Sequence, residues 1–198
     1  MDARVAAIIA AVDEMRRNGE DQKIHKNLPL AEKVLSSLET LDDPEEGPLG
    51  KALACQAAVD LLPEYDVPRL VLKMLRRELA WLEESAEESE SLTVKDVQAH
   101  IARLEDYIDV DRVTTEEFCS KYGRHLKFDP VERTQKWEEI YPEVEEACDR
   151  RLKGVPRGMG FCFGYWAARH DILLRYSGLR PMLEALNTGF LPAFFCAS

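Results

Sequence analysis

The sequence predicts an all-α protein, a bundle of about seven to eight helices with an antiparallel helical hairpin and little or no sheet. Three observations predict it. Apolar side chains recur at steps of three and four through most of the chain. No stretch alternates apolar and polar residues between hairpin turns. The prolines and glycines gather at the ends of the periodic segments.

Val5, Ile8, Val12 and Met15 share one helix face, and Asn18-Gly19 supplies a stop. Leu30, Val34, Leu38 and Leu41 mark a second helix, followed by an acidic turn with two prolines, Asp42 to Pro48. A third helix spans roughly 49–62. It is rich in Ala52, Ala54, Ala57 and Ala58, so a neighbour can approach closely. Asp66 is the expected N-cap of a fourth helix, with Pro68 in its first turn, where a missing N–H costs little.

Leu72, Leu75, Leu79 and Leu82 line that helix. Val94, Val97, Ile101, Leu104 and Ile108 line the fifth. The polar stretch Glu83 to Ser91 separates the two stripes, and an antiparallel hairpin is the simplest geometry. Thr114 with Glu117 reads as a capping box opening a short helix that stops near Gly123. Asp129-Pro130-Val131-Glu132 reads as the start of the next, which continues through Trp137, Ile140, Val144, Cys148 and Leu152. Pro142 is expected to kink or break it. A last helix is expected from Gly158 to Tyr176. Residues 1–110 are read as an N-terminal bundle and 111–198 as a C-terminal helical portion packed on it.

The chain has 198 residues and a formal charge of −11, which disfavours a nucleic-acid backbone as partner. The charge is uneven. From residue 150 on, Arg150, Arg151, Lys153, Arg157, Arg169, Arg175 and Arg180 face only Asp171 and Glu184. That leaves +5 there and −16 on residues 1–149. Docking of this basic portion on an acidic bundle accounts for the pattern. The five cysteines are scattered and form no C-x-x-C, which fits a reducing compartment and not a disulfide framework. The N-terminus opens with acidic Asp2 and lacks the basic start of a secretory signal. The longest apolar run, Gly158 to Ala168, is far short of the ~20 residues of a membrane span. A cytoplasmic protein without a membrane association is the expectation.

Few constellations carry chemistry. No Glu stands three residues before His25, His100, His125 or His170, so the di-iron Glu-x-x-His pattern is absent. Asp21/His25 and Asp96/His100, each four apart, read as surface pairs. No zinc spacing appears, and the Asp109-Val110-Asp111 hint of a calcium loop lacks its glycine and closing glutamate. Cys162 has no histidine within reach, and its aromatic neighbours suggest a packed thiol. No metal and no cofactor is expected, and no catalytic group is identified.

Arg157-Gly158-Met159-Gly160-Phe161-Cys162-Phe163-Gly164 superficially matches a dinucleotide loop, but helix and turn precede it, where that loop needs a strand. Packing explains it better: Gly160, Gly164 and Ala168 recur every four residues and make a smooth face for a neighbouring helix, the third being a natural candidate. A second role is open to the same region. Gly158 and Gly160 at a helix start, beside Arg150, Arg151, Lys153 and Arg157, suit a small anion such as phosphate or carboxylate. The apolar tail Phe190 to Phe195 either packs on its own subunit or joins a homo-oligomer. The function expected is that of a helical interaction or scaffold protein. The alternative is a small-anion binding protein or enzyme at the Arg157–Gly160 helix start.

Overall fold

The structure is a computed structural model, and it describes residues 3–41, 47–85, 89, 91–123, 130–156 and 161–175. Among them are eight α-helices, two short 3-10 turns and no strand. The helices are α1 (Ala3–Glu20), α2 (Asn27–Thr40), α3 (Pro48–Val59), α4 (Pro68–Glu84), α5 (Val94–Ile108), α6 (Thr115–Tyr122), α7 (Gln135–Arg151) and α8 (Phe161–Leu173). The 3-10 turns are Ile24–Lys26 and Pro130–Arg133. None of the described helices is long and apolar enough to cross a membrane.

The helical periodicities become buried faces. α1 buries Ile8, Val12 and Met15, α2 buries Val34, Leu35 and Leu38, and α4 buries Val71, Leu72, Met74 and Leu75. Each such side chain contributes about 1.5–3 kcal/mol on leaving water. α4 is the hub: it packs on α3, whose Ala52, Cys55 and Ala58 allow the close approach, and on α5. Arg76 pairs with Glu105 at 2.8 Å across the α4–α5 hairpin, and the Tyr107 hydroxyl donates to the Tyr65 carbonyl at 3.1 Å. Thr114 and Glu117 form the reciprocal capping box of α6.

Three local expectations are corrected. Asp66 does not cap α4. The cap position is Val67, which has no side-chain oxygen, and α7 supplies the acceptor instead. Glu138 Oε1 accepts from the Arg69 and Leu70 N–H groups at 3.0 and 3.1 Å, and its Oε2 accepts from the Arg69 guanidinium at 3.2 Å. α7 does not start at Pro130, which begins a 3-10 turn; it starts after Thr134, whose hydroxyl accepts from the Trp137 N–H at 3.2 Å. Nor does Pro142 break α7, which runs on to Arg151. Trp137, Ile140 and Tyr141 are buried before or beside the proline and Val144 and Cys148 after it, so packing keeps the helix continuous through it at the cost of one hydrogen bond.

Two buried polar side chains tie distant segments together. Asn27 is fully buried: its amide donates to the Met15 carbonyl at 3.1 Å and the Leu61 carbonyl at 2.8 Å, and its oxygen accepts from Asn18 at 3.0 Å. Arg133 donates to the carbonyls of Tyr107, Asp106 and Val113 and to the Thr115 hydroxyl. Its charge thus sits at the C-terminal end of α5, where the helix dipole is negative, between the Tyr107 and Phe118 rings.

Candidate functional site

α8 packs chiefly on α7. Its inward side buries Ala168, Ile172 and Leu173, and one polar side chain, Arg169, extends beyond α7. The guanidinium lies 4.7 Å above the Trp137 ring. Three carboxylates from three segments surround it: Asp66 before α4 at 3.5 Å, Glu132 in the second 3-10 turn at 3.6 Å, and Glu145 of α7 at 4.0 Å. Trp137 Nε1 donates to Asp66 at 3.1 Å, and the Tyr165 hydroxyl donates to Glu145.

The cluster is electrostatically strained. Burial pushes the Asp66 and Glu145 carboxyls up. Arg169 at Asp66, and Tyr165 with Arg169 at Glu145, pull the other way without cancelling it. Burial also opposes the Arg169 charge, but Tyr165 and the three carboxylates outweigh it, and the guanidinium is held charged more firmly than usual. Its Nε, buried, has no hydrogen-bond acceptor. These distances give charge attraction more than hydrogen bonding.

The opposite side of α8 faces outward. Phe163, Gly164, Ala167, His170, Asp171 and Leu174 are exposed, Phe163 at 77 %. Phe161, Cys162, Tyr165 and Trp166 are half-buried, and Tyr165 packs against the core. Of the predicted packing residues, Ala168 is buried and Gly164 is exposed, its nearest outside neighbour Leu152 standing 3.9 Å from where a Cβ would lie. Gly160 lies outside the described residues.

Three of the six predicted anion residues lie among the described residues. Arg150 and Arg151 border a shallow depression of about 400 Å³ with Ala147, Ile172 and Arg175. Lys153 is exposed beyond the end of α7. Arg157, Gly158 and Gly160 lie outside the described residues. Arg150 pairs with Glu146 at 3.4 Å and Arg151 with Asp171 at 2.7 Å. The depression adjoins the C-terminal turns of α7 and α8, whose dipoles favour cations.

The remaining titratable groups serve the fold. His100 shares a 2.8 Å hydrogen bond with Glu64, not with Asp96, and Arg103 joins them at 3.1 Å. Asp96 caps its own helix with Thr93. His25 is not a surface group paired with Asp21: it is buried 3.9 Å from Asp149, and burial holds its pKa below the ordinary imidazole value. Asp106 accepts from Arg112, Lys121 and Tyr122. Glu78 is fully buried on α4 with both oxygens lacking a hydrogen-bond partner, and burial, with Asp60, raises its pKa to about 8. Among the described residues no group of three or more His, Cys, Asp or Glu side chains is placed to hold a metal.

Sequence reasoning missed Arg169, Asp66, Glu138 and Glu78. Glu78 alone left a local signal, a carboxylate inside the apolar stripe Leu72–Leu75–Leu79–Leu82. Comparison with protein-family models, with curated proteins and with solved structures finds no match.

Proposed function

We propose that this chain is a non-catalytic helical interaction protein that binds through the outer face of α8, with a second copy of itself as partner. The observation that carries the reading is Phe163, 77 % exposed on a helix that is apolar around most of its circumference yet covered on one side. A helix of that composition is normally enclosed. Phe163, Ala167, His170 and Leu174 step 4-3-4, the spacing of a helix–helix seam, and Gly164 and Ala167 leave room beside the Phe163 ring. The scattered cysteines, with no C-x-x-C among them, fit a reducing, cytoplasmic setting.

Light scattering over a concentration series tests the proposal, with Phe163→Glu and a truncation before Phe190 as variants. The expected result is a mass above the 22.6 kDa monomer for the full chain and the monomer mass for Phe163→Glu. The truncation reports whether the apolar tail Phe190–Phe195 also contributes. A full chain that stays monomeric at every concentration overturns the reading.

A second reading has one observation in its favour, the depression that Arg150 and Arg151 share with Arg175. A small anion seated there at a hundredfold its dissociation constant stabilises the fold by about 2.7 kcal/mol. An unchanged melting temperature with phosphate and with small dicarboxylates removes it.

A further inference from the structure

We propose that α8 opens and closes on the bundle as a unit of its own, with Arg169 as the latch. Three features carry this. The apolar attachment is small: of thirteen residues in α8, Ala168, Ile172 and Leu173 are the buried ones, against four to eight apolar or polar side chains on each long helix of the bundle. The segment before α8 leaves helical geometry after Leu152, with Gly154 at φ +84° and Pro156 next, so α8 is not a rigid extension of α7. Among the described residues, the ion pairs of α8 that reach past α7 are those of Arg169, which ties α8 at once to the segment before α4 through Asp66 and to the second 3-10 turn through Glu132.

Charge attraction at 3.5–4.0 Å, without tight hydrogen bonds and with a quarter of the arginine side chain exposed, is weakened by salt. Apolar packing is not. The latch therefore makes the closed state of α8 more dependent on ionic strength than α1–α5, whose exposed ion pairs such as Arg76–Glu105 add to a far larger apolar core. Elements with few buried contacts open independently of the global fold.

The chain carries its own reporters. Cys148 of α7 is buried near enough to Tyr165 and Arg169 to feel both, so opening of α8 uncovers it. Cys55 is buried between α3 and α4, its thiol 3.6 Å from the Met74 carbonyl, and is reached only when the bundle itself unfolds. The experiment is maleimide labelling of the full chain, read cysteine by cysteine by peptide mass, at low and high sodium chloride.

In the wild type, labelling of Cys148 is expected to accelerate with salt while Cys55 stays protected. Arg169→Met, which keeps the length of the side chain and drops its charge, is expected to raise the low-salt rate at Cys148 about tenfold, the equivalent of losing about 1.4 kcal/mol. It is also expected to reduce the salt dependence to the part carried by the exposed Arg151–Asp171 pair. Arg169→Lys restores the salt dependence at an intermediate rate. Cys148 and Cys55 reacting in step in the wild type would overturn the proposal, as would a Cys148 rate indifferent to salt. The wild-type salt series decides the matter even if Arg169→Met does not fold. Because the proposed partner surface is also on α8, the labelling is done at a concentration where solution mass gives the monomer, so that a failure of the latch and a failure of self-association are read separately.

Discussion

Glu78 is the side chain whose replacement most sharply tests the energetics of this bundle. Its carboxyl is fully buried, lacks a hydrogen-bond partner, and is held protonated up to a pKa of about 8. In the unfolded chain the same group ionises at the ordinary glutamate value, near 4.5. The folded state therefore binds the proton more tightly. The stability tied to this group is complete below the unfolded pKa and is lost as pH rises through the folded one. With one pKa unit worth ~1.36 kcal/mol, the loss between pH 5 and pH 8 is on the order of 3 kcal/mol. Glu78→Gln replaces the neutral acid by an uncharged group of the same shape that does not titrate. The variant is expected to match the wild type near pH 5 and to exceed it by on the order of 3 kcal/mol at pH 8. Urea unfolding followed by far-ultraviolet circular dichroism at intervals of one pH unit measures both curves. Parallel curves would mean that Glu78 ionises in the folded protein at its ordinary pKa, and the account of a protonated core carboxyl would be wrong.

Two further substitutions probe ties that the structure makes across the sequence. Asn27→Leu removes the donors to the Met15 and Leu61 carbonyls and the acceptor for Asn18, and is expected to cost about 1–3 kcal/mol in the same urea assay. An unchanged midpoint would show that both carbonyls find other donors. Glu138→Ala takes away the acceptor for the first free N–H groups of α4 and is expected to cost about 1–2 kcal/mol. Glu138→Gln, which keeps an acceptor oxygen and drops the charge, should recover part of that loss, and no recovery would argue that Glu138 acts through its Arg69 ion pair alone.

The sequence by itself determined the helices, because a helix is a local object. Three- and four-residue spacing, Thr114 with Glu117, and Pro68 at a first turn are all interactions within one or two turns, and each reappears where the spacing places it. The misplaced features are the ones that neighbours decide. Asp66 looked like a cap because it precedes a proline, but its side chain goes to Trp137, 71 positions away, and Glu138 takes over the capping from another helix. Pro142 is an interruption by local rule, and the burial of Tyr141 and Val144 overrides it. Arg169 was one of seven basic residues in a charged segment until folding brought Asp66, Glu132 and Glu145 around it. Which side of an apolar helix is covered, and which carboxylate meets which cation, depends on contacts made across tens of residues, and those exist only once the helices have packed.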